Sequence, residues 1–76
     1  MRTTERPLQD WIGKKRHLPR YQDEGFFTEE IIDIGEDERK AWVSIKTTEK
    51  AFSFLETFTY KSVGEMVTML IRLRYR

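Results

Sequence analysis

The sequence predicts an α+β domain with a short N-terminal helix, a three-stranded antiparallel sheet and a C-terminal helix packed on the sheet. Three observations carry this. Ser62-Val63-Gly64-Glu65 reads as a capping box: a serine hydroxyl is poised for the amide three residues on, and a glutamate reaches back. The apolar residues that follow it recur with helical period. Before it, two stretches of alternating side chains flank a polar turn, which is the signature of a hairpin.

In chain order, Leu8, Trp11 and Ile12 fall at i, i+3, i+4. This spacing predicts about two helical turns, with Thr4 as N-cap, Pro7 in the first turn and Gly13 as the stop. A helix this short holds only if it docks through Trp11. Residues 14–25, KKRHLPRYQDEG, lack an apolar period and contain Pro19 and Gly25, so they read as a linker. The expected organisation is one domain over 1–76, with 1–25 a partly flexible basic arm and linker and 26–76 the compact core.

Residues 26–34, FFTEEIIDI, are the first expected strand. Strict alternation puts Ile32, Ile34 and Glu30 on one face and Ile31, Asp33 and Glu29 on the other. Gly35 to Arg39 is the turn. Lys40 to Lys46 is the second strand, with Ala41, Val43 and Ile45 alternating against Trp42, Ser44 and Lys46. Residues 51–60, AFSFLETFTY, fit a strand with Phe52, Phe54, Glu56, Phe58 and Tyr60 on one face. They also fit a helix through Ala51, Phe54, Leu55 and Phe58; β-branched and aromatic content favours the strand. The last helix runs from Val63 to about Arg74. Glu65, Thr68, Arg72 and Arg76 form its polar face, and its apolar arc is wider than one sheet face requires.

This order, helix–strand–strand–strand–helix, is shared with double-stranded RNA-binding domains. Their Gly-Pro-x-His loop and Lys-Lys-x-Ala-Lys helix start correspond here to Gly35-Glu36-Asp37-Glu38 and Lys61-Ser62-Val63-Gly64-Glu65, so the likeness is one of topology and no family is assigned.

The formal net charge of +1 hides a segregated layout. Residues 1–20 carry +4, residues 21–40 carry −6 and residues 41–76 carry +3. Segregation of this kind points to a partner or to self-association rather than to chemistry. The absence of cysteine removes disulfides, thiolate zinc sites and cysteine nucleophiles. His17 is the only histidine, and the four isolated glycines form no phosphate-cradling loop. The acidic run lacks the ligand ladder of a calcium loop. No enzyme, metal or cofactor is therefore expected. No apolar run is long enough to span a membrane and the N-terminus has no signal-peptide stretch, so a cytoplasmic location is expected.

The sequence thus predicts a non-enzymatic binding or regulatory module that works by protein–protein contact, either as a homodimer or with a basic partner protein. Its surface is expected to use Glu29, Asp33, Glu36, Asp37 and Glu38 with Trp42, Met69 and Ile71. Ile31 joins Trp42 on the expected exposed face. The alternative is a nucleic-acid-binding domain using the basic segment 14–20 (Lys14, Lys15, Arg16 and Arg20) and the C-terminal Arg72, Arg74 and Arg76. Glu56, set among aromatics, would need a partner if its face were buried.

Overall fold

A computed structural model describes residues 8–19, 26–49 and 52–76. A 3₁₀ turn, Leu8–Trp11, is followed by β1 (Lys15–Pro19), β2 (Phe26–Glu36), β3 (Ala41–Glu49), β4 (Phe52–Tyr60) and α1 (Val63–Arg72). The strands form one antiparallel meander in the order β1-β2-β3-β4. The class is α+β as expected, with two corrections. The sheet has four strands rather than three, and the N-terminal helix is a single 3₁₀ turn. The fourth strand also removes the topological likeness to double-stranded RNA-binding domains.

The additional strand, β1, lies in the stretch read as a linker. It has almost no apolar alternation of its own and is held by what it pairs with. Arg16 stands opposite Glu29 and Lys15 opposite Glu30, so charge complementarity replaces the hydrophobic pattern. The 3₁₀ turn docks through Trp11, which is buried, with the Lys14 ammonium 5.7 Å from its ring centroid. Gly13 then turns the chain at φ +95°, and its amide donates to the Ile31 carbonyl at 2.8 Å.

A bulge in β2 sets the core. Ile31 pairs with Ile45 and Asp33 with Ser44, leaving Ile32 as an extra residue between them. Beyond the bulge the alternation is inverted. Ile31 and Ile34 therefore both face α1, and Ile31 is 0% exposed. This corrects two readings: Ile31 does not share an exposed face with Trp42, and Ile34 shares its face with Ile31 rather than with the half-buried Ile32. On β3, Ala41, Val43 and Ile45 point inward as the alternation predicts, and the strand runs past the expected end at Lys46 to Glu49, with Thr47 also inward.

Residues 52–60 are a strand. Phe54, Glu56, Phe58 and Tyr60 stand opposite Thr47, Ile45, Val43 and Ala41, on the helix side. The side-chain alternation read from the sequence is correct, but the face is not closed over by α1.

α1 begins where the capping box places it. The Glu65 amide donates to Ser62 Oγ at 3.1 Å, while the Glu65 carboxylate accepts from the Lys61 amide. Replacing Ser62 with alanine is expected to cost about 1 kcal/mol; an unchanged urea midpoint would remove the hydroxyl from the cap. The helix buries Met66 and Leu70 in a cluster with Ile31, Ile34, Ala41, Val43 and Ile45, and Val63, Val67 and Leu73 pack against it. Most of the wide apolar arc is used within the chain, and Ile71 alone among its large aliphatics is left 60% exposed.

The helix ends at Arg72, short of the predicted Arg74, in a two-bond C-cap. The Arg74 amide donates to the Ile71 carbonyl at 3.0 Å and the Tyr75 amide to the Leu70 carbonyl at 3.3 Å. This is the Schellman arrangement, which places the residue after the cap in the left-handed region. Arg74 occupies that position at φ +70°, a conformation that costs a side-chain-bearing residue about 1 kcal/mol or more. Arg74→Gly is accordingly expected to raise stability by about 1 kcal/mol. A lower urea midpoint for that variant would mean that the arginine side chain contributes more than its backbone costs.

Candidate protein-interaction surface

The two edges of the sheet are treated differently. On the β1 side, Arg76 pairs with the first residue of the edge strand: Lys15 and Arg76 exchange both backbone hydrogen bonds, each at 2.9 Å. Side chains reinforce this pairing. The Arg16 guanidinium bonds the Glu29 carboxylate, reaches the Leu73 carbonyl at 3.3 Å and lies 5.0 Å from the centroid of the Tyr75 ring. The Tyr75 hydroxyl donates to Glu29 Oε1 at 2.9 Å. Burial of the ring, and then the bond to the Glu29 carboxylate and its negative charge, push the Tyr75 phenol well above its ordinary value.

On the other side, no described segment pairs with the outer edge of β4. The strand carries exposed apolar side chains on both faces. Phe54 is 49% and Phe58 40% exposed on the helix side, and Leu55 is 62% exposed on the opposite side. Length explains this. Ten helical residues span about 15 Å, whereas a nine-residue strand spans about 30 Å, so α1 cannot cover the whole sheet. In the uncovered part lies a shallow cleft of about 250 Å³, lined by Phe27, Glu29, Thr47, Glu49, Phe54 and Glu56. Glu56 is exposed there, because an edge strand beyond the helix leaves it in water.

The residues singled out from the sequence scatter over this frame. Glu29 is drawn inward by Arg16 and Tyr75, which separates it from the acidic face. Asp33, Glu36, Asp37 and Glu38 are exposed on β2 and the β2–β3 turn. Asp37 builds that turn: its carboxylate accepts from the amides of Arg39 and Lys40 at 2.9 and 3.1 Å. Those two amides hold its carboxyl below the usual carboxylate range. Trp42 is half-buried on the face away from α1, its ring lying over Gly35; a Cβ at Gly35 would come within 2.6 Å of it. Met69 lies instead near the end of β4, lining a groove with Tyr60, Lys40 and Glu65.

Of the basic candidates, Arg16 is committed to Glu29 and Leu73, Arg20 lies outside the described residues, and Lys15, Arg72, Arg74 and Arg76 are exposed. The Lys15–Arg76 bridge brings the two basic segments together. Among the described residues no group of three His, Cys, Asp or Glu side chains is arranged to hold a metal ion, and no helix is long and apolar enough to cross a membrane.

Phe54, Leu55 and Phe58 were not among the residues singled out. Their alternation was visible, but it reads as core when the sheet is taken to be fully covered. Comparison of the chain with protein-family models, with curated proteins and with solved structures returns no match in any of the three.

Proposed function

We propose that this chain is a non-enzymatic binding or regulatory module that acts by protein–protein contact, with β4 as the contact strand. The observation that supports this most is the outer edge of β4, with which no described segment pairs, together with its exposed Phe54, Leu55 and Phe58. Exposed aromatic and aliphatic side chains along an unpaired strand offer a partner both backbone hydrogen bonds and apolar area. The exposed carboxylates of Asp33, Glu36 and Glu38 lie at one end of the sheet and would steer a basic partner rather than anchor it. With no cysteine to oxidise, the module suits a reducing cytoplasm. The test is photo-crosslinking in the native host. A crosslinking residue in place of Phe58 is expected to trap a protein, whereas one in place of Gln9, exposed on the 3₁₀ turn that packs on β2, is not. Absence of any protein adduct at Phe58 would overturn the reading.

A second reading, a nucleic-acid interface, is favoured by one observation: the backbone bridge that sets Arg76 beside Lys15. If it holds, duplex DNA or RNA binds with steep salt dependence. Changing Lys14, Lys15 and Arg76 to alanine then flattens the plot of log affinity against log salt by about one unit for each phosphate that is no longer neutralised. Arg16 is unsuitable for this test because it supports the fold.

A further inference from the structure

We propose that β4 pairs antiparallel with the β4 of a second copy of this chain, about a two-fold axis through Glu56, joining two sheets into one. The inference rests on the contact reading above and names the partner. Its first support is the contrast between the edges. Arg76 pairs with β1 at Lys15, whereas no described segment pairs with the outer edge of β4, which runs nine residues in unbroken register with β3. β4 contains no proline, glycine, lysine or bulge; of the features that keep natural edge strands from pairing it carries one, the charged Glu56.

The second support is the order of side chains. A two-fold axis perpendicular to an antiparallel ladder must pass between two copies of one residue, and directly opposed residues share a face. With the axis at Glu56, Phe54 of each copy meets Phe58 of the other on the helix side. Leu55 meets Thr57 on the opposite side, and Ser53 meets Thr59. The strand is thus close to palindromic in side-chain class about its central residue. Cross-strand aromatic pairs are among the more favourable ones. Moving the axis to Leu55 or Thr57 sets Glu56 against Phe54 or Phe58 and exchanges the two Phe54–Phe58 pairs for Phe52–Phe58 or Phe54–Tyr60 pairs.

Charge along the strand is confined to one position: between Phe52 and Tyr60 the only charged residue is Glu56. The axis brings two Glu56 carboxylates together. Ile45 is its neighbour on β3, and the residues lining the cleft beside it, Phe27, Glu29, Thr47, Glu49 and Phe54, include no cation. The repulsion is therefore not neutralised by the cleft, and it weakens the dimer.

Sedimentation of the full chain from micromolar to millimolar concentration tests this. The unmodified protein is expected to dimerise, and Glu56→Gln to tighten the dimer about fivefold by removing the like-charge pair. Glu56→Lys should dimerise weakly by itself and preferentially with the unmodified chain. Because the sequence has no cysteine, register is read by oxidation. Directly opposed residues have Cα atoms about 4.5–5.5 Å apart, within disulfide reach, whereas residues offset along the ladder do not. Glu56→Cys should crosslink to itself and Leu55→Cys should not. A monomer at all concentrations for both the unmodified chain and Glu56→Gln, with no Glu56→Cys crosslink, overturns the proposal. Faster crosslinking of Leu55→Cys overturns the register. A Phe58 photo-adduct with a different protein and no self-adduct overturns the second copy as partner while leaving the contact reading standing; no adduct of either kind ends both.

Discussion

Tyr75→Ala is expected to cost about 3–4 kcal/mol, most of what a domain of this size has to spare. Tyr75 lies three residues beyond the last helical residue, yet it is buried, and it ties three elements together. Its amide completes the α1 cap on Leu70, its ring lies beside the Arg16 guanidinium of β1, and its hydroxyl donates to Glu29 of β2. Truncation leaves a cavity, removes the acceptor's partner and loosens the segment that pairs with β1 at Lys15. Tyr75→Phe isolates the hydroxyl and is expected to cost about 1 kcal/mol. The same group predicts an alkaline limit. An unfolded phenol loses its proton near pH 10, whereas the folded Tyr75 is raised well above that. Below pH 10 both states hold the proton and the group adds no pH dependence. Above it the unfolded state binds fewer protons, so stability falls as pH rises, by at most about 1.4 kcal/mol per pH unit. Urea unfolding from pH 9 upward, compared between the unmodified chain and Tyr75→Phe, reads this directly. Parallel loss in both proteins would show that Tyr75 is not the responsible group.

Single-residue deletions at two positions across one ladder are expected to give opposite outcomes. Deleting Ser44 joins Val43 directly to Ile45, so one half of β3 must turn its inward residues to water. Either Ala41 and Val43 or Ile45 and Thr47 leave the core, and all four are buried. At roughly 1.5–3 kcal/mol for each large aliphatic side chain exposed, together with the partners they pack on, no cooperative unfolding transition should remain. Deleting Ile32 removes the bulge residue and leaves Ile31 on Ile45, Asp33 on Ser44 and Ile34 on Val43 in continuous register. The cost should be limited to a half-buried side chain and the twist of the bulge, about 1–2 kcal/mol. Chemical denaturation of the two deletion variants checks both. An unfolded Ile32 deletion beside a folded Ser44 deletion would show that the extra residue of the ladder lies in β3 and not in β2.

Several elements were legible because what forms them lies within a few residues. Ser62 and Glu65 specify the start of α1 through bonds no longer than one helical turn. Gly13 stops the first turn by taking positive φ, and the alternation of Ala41, Val43 and Ile45 states which face of β3 is inward. The alternation along residues 52–60 likewise divides Phe54, Glu56 and Phe58 from Leu55 and Thr57. Of the surface proposed for contact, this pattern was visible but its exposure was not.

What was not legible depends on residues far apart in the chain. β1 is a strand because Arg16 meets Glu29 and Lys15 meets Glu30, and no local signal marks KRHLP as extended. The bulge at Ile32 adds one residue without altering composition, and it alone decides that Ile31 and Ile34 share the core. Arg74 takes the left-handed position usually given to glycine because Tyr75 is fixed by Glu29 and Arg16, on strands far back in the chain. By itself the sequence determined the hairpin, the helix start and the alternation of β4, all of which follow from backbone sterics and neighbouring side chains. Only the tertiary structure decided that Arg76 pairs with β1 while no described segment pairs with the outer edge of β4. That outcome depends on where a ten-residue helix comes to rest on longer strands and on where Arg76 meets Lys15.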